Sequence, residues 1–276
     1  IIAEQRGLSV PESFRVQCYD TSLYIDDLHL ESDDAAAGLM AEEARFGYEL
    51  GHRAFKIKGG RGARHMSLDA GTRRDIAVIK AVRDAVGVDS TLMIDANNGY
   101  NLNLTKRVLA ETAECNLYWV EEAFHEDRVL YEDLRTWLDK QGLNILIADG
   151  EGQASPSLMN WAQDGLIDVI QYDIFSYGFT QWLETGKQLD SWNVKSAPHH
   201  YGRHLGNTIS GHLASVINNF TMVEWDEVVT KGIDTSRYTI QDGWVHIPDE
   251  AGFGITLDDA IFQTAINENG FRIKSS

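Results

Sequence analysis

Short runs of β-branched and apolar residues alternate with longer segments whose apolar positions recur at helical spacing, and the alternation holds from Phe14 to about residue 224. This is the pattern of successive βαβ units around a parallel sheet. Eight runs qualify as strands: Phe14 to Tyr19, Ala54 to Ile57, Thr91 to Ile94, Tyr118 to Val120, Ile145 to Ala148, Val169 to Tyr172, Val194 to Ala197 and Thr221 to Glu224. Eight of them predict a closed barrel. Between the strands, Leu68, Ile76, Ile79, Val82 and Val86 share one face of a helix over Ser67 to Val86, with Gly87 as its stop. Helices are predicted likewise over Asp34 to Leu50, Leu104 to Glu114, Val129 to Lys140, Pro156 to Gln163, Phe179 to Trp192 and Ile209 to Val216.

After Glu224 the period changes. Tyr238 to Ile247 reads as two short strands about an Asp242-Gly243 turn, followed by Pro248 and a Gly252-Phe-Gly254 loop. A small β appendage therefore follows the barrel.

With 276 residues and 43% hydrophobic content the chain can bury a large core, and the repeating pattern assigns that length to one barrel. A formal charge of −18 sets the whole-molecule field against phosphates, which excludes nucleic acid and anionic membranes as partners. Cys18 and Cys115 lie far apart, so neither a disulfide framework nor a thiolate metal site is expected. The sequence contains no apolar run of about eighteen residues and no basic region leading into an apolar stretch at its start, from which a cytoplasmic location is expected. The first residue is Ile, so an upstream segment is expected as well.

In a parallel barrel the C-terminal ends of the strands converge on one rim, so polar residues that close apolar strands are read first as catalytic. Asp95, Glu121 and Glu151 close three successive strands and stand 26 and 30 residues apart, one strand, helix and loop per step. Oxygen-only ligation selects a hard cation, Mg²⁺ with Mn²⁺ as second candidate, over zinc. The plainer alternative makes such acids helix N-caps, which suits Asp95 and Asp149. Lys56 and Lys58, two apart at the end of the second strand, point to the same side. Beside a metal, neighbouring cations would depress a lysine pKa enough for it to act as a base; otherwise the pair would simply reach solvent. His199 ends the seventh strand and Asp173 the sixth, so the carboxylate would orient the imidazole and raise its basicity. Trp119 and Tyr100 are candidate pocket walls, and Arg61, Arg64 and His65 in the Gly-rich loop after Lys58 are candidate contacts to a distal substrate group.

At these residues the chain resembles the enolase superfamily, in particular its mandelate racemase/muconate lactonizing enzyme-like subgroup. The resemblance is carried in order by Phe55-Lys-Ile-Lys58, Ile94-Asp95-Ala-Asn97, Trp119-Val-Glu121-Glu122, Gln171-Tyr-Asp173, Ala197-Pro-His199, Val223-Glu224, Gly243 to Pro248 and Gly252-Phe-Gly254. It implies an α/β fold, a TIM-type (β/α) barrel of the enolase-like C-terminal domain with the short β appendage at its C-terminus. Residues 1–13 would be the tail end of a capping domain, 14–235 the barrel, and 236–276 the appendage and a tail packing on barrel or cap. It implies Asp95, Glu121 and Glu151 as Mg²⁺ ligands, Lys58 as one base, and His199 oriented by Asp173 as the other. Lys56 and Asn97 would contact substrate, and Glu224 would donate a hydrogen bond to the substrate carboxylate. Glu122 competes with Glu121, because Ala123 stands where the family commonly has Pro two residues after that ligand, and Asp149 competes with Glu151. A homo-oligomer acting on a small-molecule carboxylate is implied too.

The expected chemistry is removal of the proton α to a carboxylate through an enediolate, with dehydration of a sugar acid to a 2-keto-3-deoxy acid as the leading outcome. Bases on both faces would equally serve a racemase or epimerase. A Schiff-base aldolase using Lys58 and an inactive scaffold or binding protein are the rivals from other classes.

Overall fold

Eight strands run parallel in a computed structural model of the chain, which describes residues 14–62 and 64–270. They are β1 (Phe14–Asp20), β2 (Ala54–Lys58), β3 (Thr91–Asp95), β4 (Leu117–Glu121), β5 (Leu146–Asp149), β6 (Val169–Ile170), β7 (Lys195–Ser196) and β8 (Val223–Trp225). Neighbours in sequence pair from β1 to β7, β8 pairs with β1 through Cys18↔Val223 to Asp20↔Trp225, and a parallel bridge between Ser196 and Phe220 joins β7 to the β8 segment. The sheet thus closes on itself as the expected TIM-type barrel.

The helices are α1 (Asp33–Glu49), α2 (Leu68–Val86), α3 (Leu102–Glu111), α4 (Arg128–Gln141), α5 (Leu158–Gln163), α6 (Ile174–Tyr177), α7 (Phe179–Trp192), α8 (His204–Ala214) and α9 (Asp259–Asn269). Local chemistry sets several of their ends. Ser32 Oγ accepts from Ala35 N at 3.0 Å to cap α1, and Asp127 Oδ1 accepts from Val129 N and Leu130 N at the start of α4. Asn101 caps α3 through Leu104 N at 3.0 Å, so that helix starts two residues before the predicted Leu104; it ends at Glu111, and a 3₁₀ turn over Ala113–Cys115 follows. The helix after β7 begins at His204, five residues ahead of the predicted Ile209. β6 and β7 keep only two residues each where four were expected, because Asp173 and His199 are joined by a single isolated bridge beyond the regular ladder.

Period-two alternation sorts the strand residues. Ala54, Met93, Trp119, Ala148 and Val169 pack together inside the barrel, while Phe55, Ile57, Ile94, Val120 and Ile147 face the helices. Lys56, Lys58, Asp95 and Glu121 carry the inner face on to the rim.

The predicted appendage is a hairpin of β10 (Thr239–Gln241) and β11 (Trp244–Ile247) about Asp242-Gly243, both with positive φ (50° and 78°), as a two-residue turn of this kind requires. β11 pairs antiparallel with the first half of β1, so the appendage extends the barrel sheet. The sequence pattern did not reveal the pair formed by β9 (Ile233–Asp234) and β12 (Thr256–Leu257), nor α6, α9 or the 3₁₀ turn at Asp26–His29. The expected remnant of a capping domain, residues 1–13, and the last six residues of the expected tail lie outside the described residues. Among the described residues no helix is long and apolar enough to cross a membrane.

Candidate active site

The strand period brings the acids together. Asp95 and Glu121 are the last residues of β3 and β4, paired with each other in register, and both are fully buried. Asp149 closes β5 but is one step out of phase: Ala148 faces inward, so the Asp149 side chain turns outward, where it accepts from Tyr131 Oη of α4 at 2.6 Å. Gly150, at φ +128°, reverses the chain so closely against β6 that a Cβ there would lie 3.1 Å from Gln171 N. Glu151 is thereby carried back over the barrel mouth. One oxygen each of Asp95, Glu121 and Glu151 lies within 4.8 Å of the others. Glu122 follows Glu121 at φ +42° and is taken up by Asn97, whose Nδ2 donates to its Oε2 at 2.9 Å. Of the competing pairs, Glu121 and Glu151 therefore belong to the cluster, and Glu122 and Asp149 do not.

The donor set suits a hard divalent cation. All three groups are carboxylates, with no thiolate or imidazole among the three, and Glu151 Oε2 is a buried oxygen with no hydrogen-bond partner. Burial and the neighbouring charges shift the two buried acids in opposite directions. Burial, with Asp95 adding to it, pushes Glu121 up to about 7 against the pull of Lys56. Asp95 is held below its ordinary range because Lys58 and Lys56 together outweigh its burial.

Both lysines point into this cluster. Lys56 Nζ donates to Glu121 Oε1 at 2.8 Å and lies 3.1 Å from Glu224 Oε1 and 3.8 Å from Asp95 Oδ2. Lys58 Nζ donates to Asp95 Oδ2, with the Tyr24 ring centroid 5.8 Å away. The expected depression of their pKa values is not produced by the protein groups. Burial pulls each lysine down, but Glu121 and Glu224 around Lys56, and Asp95 beside Lys58, raise them further.

Across the mouth, His199 Nδ1 is 2.5 Å from Asp173 Oδ1, which leaves Nε2 facing Glu151 Oε2 at 3.4 Å and Glu224 Oε2 at 4.0 Å. Burial would lower this imidazole, yet the Asp173 hydrogen bond and the Glu224 and Glu151 charges lift it to about 9. Glu224 stands on β8 with Lys56 Nζ at 3.1 Å from Oε1 and His199 Nε2 at 4.0 Å from Oε2. Its role as a hydrogen-bond donor does not fit the geometry: it accepts from Thr21 Oγ1 (2.8 Å) and His200 N (2.6 Å), and Lys56 and His199 hold it ionised, well below the usual carboxylate range, despite full burial. It acts here as an acceptor and counter-charge to Lys56.

Other expected contacts are placed elsewhere. Arg61 is fully buried, bonded to Asp27 (Nη2 to Oδ1, 2.6 Å) and Asp75 (Nη1 to Oδ1, 2.7 Å), and Tyr100 Oη donates to the same Asp75 at 2.9 Å. Both are framework groups that fasten the loop after β2. Trp119 lies beneath the cluster, its Nε1 donating to Glu121 Oε2 at 3.1 Å. Arg64 donates to Asn97 O at 3.2 Å. Thr21, Tyr24 and the rim residues His125 and Glu126 were not singled out by sequence, although each lies just past a strand end, the position that signalled Asp95.

A closed (β/α) barrel whose mouth joins three carboxylates to a lysine on one side and a histidine–aspartate pair on the other defines a scaffold for metal-assisted proton transfer. The chain belongs to the enolase C-terminal domain-like family, whose profile matches residues 39–261. It is 53% identical to a mutant of galacturonate dehydratase from Geobacillus sp. complexed with Mg, with a TM-score of 0.93 over 96% of this chain and 69% of that one. A second structure of that dehydratase, complexed with D-galacturonate and 5-keto-4-deoxy-D-galacturonate, is 54% identical with a TM-score of 0.91 over 92% of this chain and 69% of that one. The arabinonate dehydratase of Saccharolobus solfataricus is 23% identical over 81% of this chain; the chain spans 58% of that relative's length.

Proposed function

We propose that the protein of which this chain forms the barrel is a Mg²⁺-dependent dehydratase of a sugar acid, with a hexuronate such as D-galacturonate as substrate. The observation that carries the reading is the placement of His199 Nε2 and Lys58 Nζ on either side of the Asp95–Glu121–Glu151 cluster. The relatives that share about half the sequence, one of them holding D-galacturonate and 5-keto-4-deoxy-D-galacturonate, support the substrate class. Counted from its carboxylate, such a product is a 2-keto-3-deoxy acid.

Asp95, Glu121 and Glu151 would hold the cation. Bound there, Mg²⁺ supplies positive charge beside the substrate carboxylate and so lowers the energy of the enediolate. Lys58 or His199, whichever has first released its own proton, accepts the proton from the carbon α to the carboxylate. The β C–O bond then breaks, the departing hydroxyl takes a proton from the His199 imidazolium and leaves as water, and the enol that remains tautomerises to the keto acid by losing its hydroxyl proton and gaining one at the β carbon. Asp173 keeps the imidazole in the tautomer that presents Nε2 to the substrate. Lys56 and Asn97 are the proposed substrate contacts, with the Asn97 amide first having to release Glu122.

A racemase or epimerase would use the same two bases without loss of water. Incubating the full-length protein with Mg²⁺ and D-galacturonate in D₂O separates the two. The dehydratase yields the 5-keto-4-deoxy acid, whereas return of deuterated isomers of unchanged composition would sink the proposal. An aldolase through Lys58 or a binding scaffold would leave the three acids and the dyad without a joint use. The reading also includes a homo-oligomer and a cytoplasmic location, the latter supported by two free, buried cysteines.

A further inference from the structure

Gln171 directly follows β6 and shares the inner face of the barrel with Val169, two residues earlier. Its level follows from the strand pairing. Lys56 is in register with Met93 and Met93 with Trp119, yet Lys56 Nζ meets Glu121, two residues further along β4, because the strands tilt. The same two-strand step from Glu121 through Ala148 and Val169 leads to Gln171. Side chains from alternate strands form layers in such barrels, and Gln171 is thus the β6 member of the layer that contains Lys56, Glu121 and Glu224.

The other three members are joined, Lys56 to Glu121 at 2.8 Å and to Glu224 at 3.1 Å. Gln171 is fully buried, and neither its Nε2 nor its Oε1 has a hydrogen-bond partner among the described residues. A buried amide left unpaired forfeits its hydration without return. Tyr19 Oη, on the same inner wall and equally buried, is unpaired too. The Tyr19 ring stands edge-on to Trp119 with centroids 5.4 Å apart, and Lys56 Nζ lies 5.3 Å from its centre, so the ring adjoins the layer. Burial raises the Tyr19 hydroxyl well above its ordinary pKa, with Glu224 adding to it, so it keeps its proton and can donate. The inward residues just beneath Gln171 on the adjacent strands are Ala148 and Ala197, both small, so neither strand closes the space under the amide. Unpaired polar groups sealed from bulk solvent are where proteins hold internal water, at about three hydrogen bonds per molecule.

We propose that Tyr19 and Gln171 share one internal water beneath the carboxylate cluster, and that this water holds the Gln171 amide away from Glu121, leaving that carboxylate to Lys56 and the cation. Both residues are positioning residues that act through the water. Without it, the two amide donors of Gln171 turn to the carboxylates of their own layer and compete with the cation.

A crystal structure of the full-length protein should show a water within about 3.2 Å of both Tyr19 Oη and the Gln171 amide. A dry space, or an amide bonded directly to a protein group, overturns the proposal. Mg²⁺ affinity, measured by calorimetry, reads the role. Tyr19→Phe should weaken it by about tenfold, the scale for losing a group that supports a metal ligand, and adding Gln171→Met should restore most of the loss because no amide is then left to compete. A Tyr19→Phe Kd within about twofold of the parent, or a double variant as weak as the single one, overturns the proposal. The role rests on the cation reading of the cluster: a parent protein that binds no Mg²⁺ sinks both, whereas a parent that binds it and variants that bind it equally sink only this proposal. No turnover enters these measurements, so failure to dehydrate D-galacturonate would count against the proposed reaction alone.

Discussion

Asp173 holds His199 with one carboxylate oxygen (2.5 Å to Nδ1) and Gly152 N, next to Glu151, with the other (3.0 Å). One carboxylate therefore sets both the imidazole that faces the cluster and the loop that carries a cluster member. Asp173→Asn removes the charge that fixes the imidazole, and kcat is expected to fall by about 10² or more, the scale of a lost acid–base group. Steady-state kinetics check this, with circular dichroism to show that the variant folds. A kcat within a few-fold of the parent would remove the dyad from the mechanism.

Glu151 and Asp149 make opposite predictions. Glu151→Gln should weaken Mg²⁺ binding by about tenfold or more, measured by calorimetry, because it deletes one of three anionic oxygens. Asp149→Asn should leave Mg²⁺ affinity nearly unchanged and act on stability, since Asp149 faces Tyr131 at 2.6 Å. The reverse pattern would exchange their roles.

Arg61 is expected to be among the most sensitive positions outside the cluster. Arg61→Met takes the bridging cation from Asp27 and Asp75, both buried, and leaves Asp27 with Arg74 at 3.6 Å and Asp75 with Tyr100 and backbone N–H donors, so stability should drop by about 3 kcal/mol, the low end of the range for breaking a buried ion pair. Urea denaturation at constant pH measures it. A loss within the error of the experiment would show that the loop after β2 does not need this pin.

Glu43, half-buried on α1 with Oε2 unpaired, supplies a pH signature. Burial, helped by Asp26, Asp27 and Asp20, raises its carboxyl from 4.5 to about 6. The folded state thus holds this proton more tightly than the unfolded chain, and the associated stability, present below pH 4.5, is lost as pH rises to about 6. Glu43→Gln should be nearly neutral at pH 4 and stabilising at pH 7, by about 1 kcal/mol or less given solvent screening. Denaturation midpoints of both proteins at the two pH values test the sign.

Much of the site was legible because it depends on local spacing. A two-residue step puts Lys56 and Lys58 on one face of β2, and the same step from Met93 to Asp95 and from Trp119 to Glu121 brings acids to the inner wall. The choice between Asp149 and Glu151 was less accessible, since it turns on the phase of Ala148 and the reversal at Gly150. Arg61 and Tyr100 looked like pocket residues from their place in a Gly-rich loop and near Asn97. Their engagement with Asp75, 14 and 25 residues away, exists only once α2 packs behind that loop. Glu224 was recognised as a site residue, but its direction of hydrogen bonding depends on Thr21, 203 residues away, and on Lys56.

By itself the amino-acid order determined the alternating strands and helices, the barrel they imply and which acids and bases reach its inner wall, because those follow from periods of two and 3.6 residues along the chain. Only the closed tertiary structure decided which carboxylates share a cation-sized space and which are paired with arginine or hydrogen-bonded by tyrosine. Those outcomes depend on distances across the barrel and on the charges met there, and neither is encoded in spacing along one strand.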